Sequence, residues 1–185
     1  MPRISRRGFL TATGATAASI WLAADTDLLR AAGVHATTAE GFAVLSAADA
    51  ADLEAAAAQI IPTDETPGAR EARVIYFIDK SLETFAKDQR AMFRQGAKEL
   101  RGLAFRRQPG TKTFAALPAF RQVEILTALE EAKHPFFDAL RGATIAGMLA
   151  NPEYGGNYEK AGWKWIGFDD RFMWSRPFGW YDRDA

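Results

Sequence analysis

Residues 69–86 read AREARVIYFIDKSLETFA, and this stretch decides the class of the fold. Its large apolar residues recur every three or four positions, at Val74, Phe77, Ile78, Leu82 and Phe85. This spacing places side chains on one face of a helix, because an α-helix turns once every ~3.6 residues. The stretch therefore predicts a helix from about Ala69 to Ala86 with one buried face.

The flanking sequence carries four more helix patterns. Ser46 and Asp49 form a capping box ahead of a first helix that Pro62 stops. Asp88 is predicted to cap a third helix, and Pro118 and Pro135 are predicted to open a fourth and a fifth. The inward residues of these helices are predicted to include Leu53, Ala56, Ala57, Ile60, Met92, Phe93, Leu100, Leu103, Phe120, Val123, Leu126, Leu129, Phe136, Phe137, Leu140, Ile145, Met148 and Leu149.

No stretch alternates apolar and polar residues for long enough to indicate a β-strand. The predicted fold is therefore all-α, a compact bundle of about five helices followed by an irregular, aromatic-rich C-terminal tail.

The composition is that of a soluble globular protein, and it excludes several classes of site. Hydrophobic residues make up 48% of the chain, and 23 basic residues balance 23 acidic ones. Without a net positive charge, an exported chain is not expected to bind nucleic acid. The chain has no Cys and two His, which excludes iron–sulfur clusters, thiolate zinc sites and covalent c-type haem attachment.

The first 36 residues have the pattern of an export signal. Ser5-Arg6-Arg7-Gly8-Phe9-Leu10 matches the twin-arginine motif, and an uncharged, weakly apolar stretch follows from residue 8 to residue 24. That stretch is short for a membrane span, which needs roughly 20 mostly apolar residues. We therefore predict a twin-arginine signal built on Arg6, Arg7, Phe9 and Leu10, cleaved near residue 36, and a periplasmic mature protein. The alternative is an ordinary amphipathic N-terminal helix.

The predicted organisation has four parts: a signal peptide at 1–36, a linker at 37–45, a helical domain at 46–150 and a C-terminal segment at 151–185. From Trp163 to Ala185, eight of 23 residues are aromatic and no helical period is sustained. Because so many rings are costly to leave in water, this segment is predicted to pack on the bundle or on a partner.

Residues 151–158, NPEYGGNY, open the C-terminal segment with two adjacent glycines. Three interpretations are open: a helix C-cap and tight turn, a contact with another protein, or a contact with a sugar or phosphate. Aromatic residues and Arg are enriched in protein interfaces. The predicted partner interface comprises Tyr154, Gly155, Gly156, Asn157, Tyr158, Trp163, Trp165, Trp174 and Trp180.

The sequence offers weaker catalytic alternatives. Glu153, Glu159, Asp169 and Asp170 are candidates for an acid–base pair in glycoside hydrolysis or for calcium ligands. Their spacing fits no EF-hand pattern, and the sequence does not define the geometry that an acid–base pair needs. His134 is a candidate general base, but its place between a helix end and Pro135 favours a structural role. No catalytic, cofactor-binding or metal-binding residue is therefore predicted in this chain.

Three strings together resemble one known family: Ser5 to Leu10, QIIPTDETPGA at 59–69, and NPEYGGN at 151–157 continuing to Gly162-Trp163. Over roughly residues 45–170 the chain resembles gluconate 2-dehydrogenase subunit 3. The resemblance implies a non-catalytic small subunit of an exported sugar, polyol or glycoside dehydrogenase.

The resemblance also implies partners and cofactors. In that family a large subunit carries FAD on a glucose–methanol–choline (GMC) oxidoreductase fold, and a cytochrome c subunit with haem c takes up its electrons. The small subunit is thought to aid folding, flavin loading and co-export of the large one by the twin-arginine translocase. No cofactor is then expected in this chain. The alternatives are a stand-alone periplasmic carbohydrate-active enzyme and a membrane-tethered binding module.

Overall fold

The structure, a computed structural model, describes residues 41–171 of the 185-residue chain. This part contains six α-helices and no strand. The helices are α1 (Ala47–Ile60), α2 (Val74–Glu83), α3 (Arg90–Arg107), α4 (Ala119–Glu131), α5 (Pro135–Leu149) and α6 (Ala161–Ile166). Three short 3₁₀ turns lie at Lys87–Gln89, Pro152–Tyr154 and Tyr158–Lys160. The prediction of an all-α bundle is confirmed, with one short helix beyond the predicted five.

Helix α1 lies inside the bundle, where it packs against α2, α3, α4 and α5. Its buried face is built largely from alanine, which favours helix formation and lets neighbouring helices approach closely. The predicted cap is present: the Ser46 hydroxyl accepts a hydrogen bond from the Asp49 N–H at 3.1 Å. The first helix therefore begins and ends where the capping box and Pro62 predict.

Helix α2 is shorter than the stretch 69–86 predicts. Residues 69–73 form turns, closed by the Val74 N–H on the Ala69 carbonyl at 3.0 Å, and Arg73 adopts left-handed backbone with φ 53°. The helix ends at Glu83. The predicted buried face is nevertheless present, with Phe85 partly buried beyond the helix end.

Two predicted details of α3 and α4 are wrong. Asp88 does not cap α3 but lies in the 3₁₀ turn before it. On α4, Phe120 and Val123 are 60% and 45% exposed. The inward position belongs instead to Gln122, whose amide donates to the buried Phe114 carbonyl at 3.1 Å. The buried position on α4 is thus occupied by a polar residue that forms hydrogen bonds inside the protein, and the apolar Phe120 and Val123 lie on the surface.

A charged cluster ties α1 to α3 and to the loop before α4. The buried Asp52 carboxylate accepts hydrogen bonds from Arg101 Nη1 at 3.1 Å and from the Ala115 N–H at 3.0 Å. Burial raises the pKa of Asp52 above its ordinary value. Burial acts in the same direction on Asp49, but hydrogen bonds from Arg101 and Ser46 together hold the pKa of Asp49 below its ordinary value. One arginine therefore serves two carboxylates in different environments.

The buried Asp79 of α2 holds the segment that precedes α1. Its carboxylate accepts hydrogen bonds from the N–H groups of Ala43, Val44 and Leu45 at 2.6, 2.9 and 2.8 Å. A carboxylate that accepts several backbone N–H groups satisfies donors that have no partner in a helix or sheet. The second half of the predicted linker at 37–45 is thus part of the folded body.

No helix within residues 41–171 combines the length and the apolar character that crossing a membrane requires.

Candidate functional site

The two glycine-containing strings at 59–69 and 151–163 lie side by side in the structure. The Tyr158 N–H donates to the Ala72 carbonyl at 3.1 Å, just after the first string. The guanidinium of Arg73 lies 3.6 Å above the centre of the Tyr158 ring. The turns before α2 therefore support the segment that follows α5.

Asn157 organises this second segment from inside. It is fully buried, and its backbone is left-handed with φ 47°. Its Nδ2 donates to the Ala150 carbonyl at 2.8 Å, and its Oδ1 accepts from the Gly162 N–H at 2.8 Å. Since the carbonyls of the last helical turn lack partners inside the helix, Asn157 satisfies one of them and joins the end of α5 to α6.

Glycines allow the same segment to touch the backbone of α5. A Cβ at Gly156 would lie 2.3 Å from the Gly147 carbonyl oxygen, and a Cβ at Gly162 would lie 1.8 Å from that of Met148. Neither position has room for a side chain. The Trp163 indole N–H adds a hydrogen bond to the Leu149 carbonyl at 2.7 Å. Residues 156–163 thus cover the C-terminal end of α5. The turn of the first interpretation is present at Gly155, with φ 97°, but the C-cap of α5 is Ala150, outside residues 151–158.

The outer side of this segment leaves apolar side chains on the surface. Tyr158 and Phe168 are 41% and 47% exposed, and Ile166 is also exposed. Trp165 is half-buried. We define the aromatic surface as these residues together with Phe42 and Tyr76.

Tyr76 and Phe42 connect to the segment through Gly155. A Cβ at Gly155 would lie 3.1 Å from the Tyr76 carbonyl carbon, and the rings of Phe42 and Tyr76 stack with centroids 5.3 Å apart. The two parts of the aromatic surface are therefore joined through their backbones at Gly155, and clustered exposed apolar groups mark interaction sites more often than isolated ones do.

A groove of about 300 Å³ lies between the two strings. Its lining residues are Thr66, Pro67, Glu71, Tyr158, Glu159, Ala161, Lys164 and Trp165. Glu71 Oε2 accepts hydrogen bonds from the Thr63 hydroxyl at 2.6 Å and from the Gly68 N–H at 2.9 Å. The bond from Thr63, the larger cause, lowers the pKa of Glu71 despite some burial. The groove therefore has a fixed, ionised carboxylate on one wall.

The structure places the predicted interface residues at different depths. Gly156 and Asn157 are buried, so they shape the surface without forming it. Tyr158 is exposed, whereas the partly exposed members are Tyr154, Gly155, Trp163 and Trp165. Their contact with a partner stays a prediction.

Several predicted residues lie outside the described part of the chain, so the roles assigned to them stay predictions. They are Arg6, Arg7, Phe9 and Leu10 of the export signal, and Trp174 and Trp180 of the tail.

The C-terminal segment contains one short helix that the sequence analysis did not predict, α6, which carries both Trp163 and Trp165. Its N-cap is Lys160, which has left-handed backbone with φ 59°. The sequence therefore offers no preferred N-cap residue from which this short helix could be predicted. The aromatic residues that the sequence analysis missed are Phe42 and Tyr76. The signal for Tyr76 was that this aromatic residue of α2 lies outside the row of buried apolar residues.

The carboxylates considered for catalysis are not arranged as one group. Asp170 pairs with Lys160 at 2.7 Å, and Asp169 pairs with Arg171. His134 Nε2 lies 3.5 Å from a Glu99 carboxylate oxygen, at the N-cap of α5. Asp169 and Asp170 therefore form ion pairs on the surface, and His134 lies at the start of a helix.

The helical region as a whole is similar to one known protein family. Residues 47–170, about two thirds of the chain, match the model of the family described as gluconate 2-dehydrogenase subunit 3. No curated protein and no solved structure matches the chain. The matched region runs through all six helices and includes both strings and the groove between them. The chain belongs to the gluconate 2-dehydrogenase subunit 3 family, a family of accessory subunits of a dehydrogenase complex.

Proposed function

We propose that this chain is the non-catalytic small subunit of a periplasmic, flavin-dependent sugar, gluconate or glycoside dehydrogenase. Membership of a family of dehydrogenase subunits is the observation that carries the proposal. In this proposal the large subunit holds FAD on a GMC-type fold, and a cytochrome c subunit holds haem c. The composition supports placing the haem elsewhere, because a chain without Cys has no residue for its covalent attachment.

The small subunit would bind the large one, aid its folding and flavin loading, and bring it to the twin-arginine translocase. The motif at Arg6 and Arg7 supports the export role, because it precedes a weakly apolar stretch of suitable length. The aromatic surface supports the docking role, because large amphipathic rings contribute most of the binding energy in many interfaces.

Export is tested by replacing both Arg6 and Arg7 with Lys in the producing cell and assaying each compartment for flavin dehydrogenase. The large subunit should remain in the cytoplasm, because it would rely on the signal of the small one. Normal periplasmic activity in this variant would refute the export role. Sequencing the mature N-terminus shows whether the signal is cleaved or retained as a membrane tether.

Docking is tested by capture of the flavoprotein on tagged small subunit. Truncating a ring at an interface hot spot costs about 2 kcal/mol or more, which is roughly 30-fold in affinity. We expect such a loss for Trp165→Ala and no loss for Phe120→Ala, an exposed ring on α4 outside the aromatic surface. Equal capture by both variants would remove Trp165 from the interface.

A stand-alone enzyme makes a different prediction. The purified chain would then convert a sugar without flavin and without the large subunit, and such turnover would overturn the proposed accessory role.

A further inference from the structure

We propose that the groove between residues 66–71 and α6 receives a basic side chain, arginine or lysine, of the large dehydrogenase subunit. This inference rests on the proposed function, because it specifies the chemistry by which the partner contacts the same surface. At about 300 Å³ the groove is at the lower limit of small-molecule sites, a size that suits one long side chain.

The walls of the groove suit the stem and the head of a basic side chain. Pro67 and Ala161 offer apolar contact, and Tyr158 and Trp165 offer aromatic rings. Arginine and lysine lay their aliphatic stems on such surfaces and place their charge over ring faces. The Tyr158 ring already holds a guanidinium in this way, because Arg73 lies 3.6 Å from its centre. Tyr158 lines the groove, whereas Arg73 does not.

The groove also carries negative charge that its own residues do not neutralise. Glu71 is held in place by Thr63 and Gly68. Within residues 41–171, the side chain of Glu159 has no hydrogen bond or ion pair, although its backbone is held in the left-handed region at φ 54°.

Within residues 41–171, none of the nearby cations forms an ion pair with Glu159. Lys164 is the one basic residue among those that line the groove in the described part of the chain. Lys160 is directed to Asp170 at 2.7 Å, Arg73 to the Tyr158 ring and Arg70 to Glu54 at 3.8 Å, although Arg70 also helps to lower the pKa of Glu71. The lining therefore holds two carboxylates and one ammonium, an excess of one negative charge.

This excess selects among possible occupants. A purely apolar segment would bury Glu159 without a partner, and an acidic segment would add repulsion to that cost. A single arginine or lysine balances the charge, and arginine can pair with a carboxylate while its plane stacks on a ring. The groove and its charge thus point to a basic residue on the partner.

The test compares two charge reversals on one segment. Glu159→Lys changes the groove, whereas Glu153→Lys changes an exposed glutamate six positions earlier that does not line it. Tagged small subunit is purified from the periplasm with its bound flavoprotein, and the flavin retained per small subunit is measured during washing at low and high salt. We expect Glu159→Lys to raise the dissociation constant at least tenfold, and Glu153→Lys to change it less than twofold.

Glu159→Gln is the control for a folding defect in Glu159→Lys, because it keeps the size of the side chain and removes only the charge. It should weaken the complex by a smaller factor and make retention less sensitive to salt.

The possible outcomes separate the two proposals. If wild-type small subunit retains flavoprotein and both Glu159 variants retain it equally well, the groove inference is overturned while the accessory function stands. If wild-type small subunit retains no flavoprotein, the proposed function fails and the inference fails with it. If Glu159→Lys instead lowers the melting temperature of the isolated chain far more than Glu153→Lys does, the chain's own residues fill the groove and the inference is again overturned.

Discussion

Replacing Asn157 with Ala should destabilise the protein far more than a surface-loop substitution normally does. The change leaves the Ala150 carbonyl and the Gly162 N–H without their partners. A buried polar group that loses its partner costs about 1–3 kcal/mol. Alanine at φ 47° adds about 1 kcal/mol, because it lacks the short polar side chain with which asparagine tolerates the left-handed region. Since water can reach the Ala150 carbonyl in part, we expect a total loss of about 3–4 kcal/mol.

The measurement is urea unfolding of the purified chain, monitored by circular dichroism and tryptophan fluorescence. The size of the loss predicts a fall in melting temperature on the order of 10 °C. Asn157→Gly is the matched control for the backbone, because glycine tolerates the left-handed region but makes neither hydrogen bond. It should be about 1 kcal/mol more stable than Asn157→Ala. Asn157→Asp keeps an acceptor for Gly162 but loses the donor to Ala150, so it should also be destabilised.

Two results would contradict this account. A loss below about 1 kcal/mol for Asn157→Ala would mean that its two hydrogen bonds contribute little, contrary to their burial. Equal stabilities of the Ala and Gly variants would mean that the left-handed backbone carries no strain.

Three other predictions concern single positions. Gly162→Ala should cost at least about 2 kcal/mol in urea unfolding, because its Cβ would collide with an α5 carbonyl. Gly102→Ala should be neutral or stabilising, because its Cβ in α3 would make only an ordinary contact, at 3.7 Å, with the Arg106 side chain. Asp79→Ala should cost about 2–5 kcal/mol and increase amide hydrogen exchange at residues 43–45, which lose their acceptor; unchanged exchange there would refute the role of Asp79. The pKa of Asp52 is raised in the folded state. Between the pKa of Asp52 in the unfolded chain and its pKa in the folded chain, the folded chain therefore binds more protons. The free energy of unfolding consequently falls as pH rises through that interval. The stability of wild type relative to Asp52→Asn should therefore decrease as pH rises above about 4, and a pH-independent difference would contradict the assignment.

The helices were predictable where local signals determine them. Ser46 and Pro135 mark helix starts through backbone chemistry that needs no distant contact. The start of α2 was not predictable, because the turns at 69–73 depend on Gly68 packing against the backbone of residues 61–63, where a Cβ would lie 2.6 Å from the Ile61 oxygen. Gln122 is a similar case, since its burial depends on a carbonyl eight residues away.

The candidate site was predictable in its parts and not in its assembly. The strings at 59–69 and 151–163 stand out in the sequence through their Gly, Pro and aromatic residues. The two strings lie close together because α2 and α5 pack against each other. No local sequence pattern predicts that packing. Asn157 looked like a surface residue because it lies between Gly and Tyr in a polar string. Its burial follows from the close approach of two backbones, which only the three-dimensional structure shows.

The attachment of residues 43–45 to Asp79 determines how a mechanical load at the N-terminus enters the fold. A force applied to the chain before residue 43 reaches three hydrogen bonds that converge on one carboxylate of α2. Bonds loaded together share the force, whereas the turns of a helix pulled from its end are loaded one after another. Traction from the N-terminal side therefore has to detach this segment from α2 before it can unwind α1. The protein resists pulling at a point inside its core, several residues ahead of its first helix.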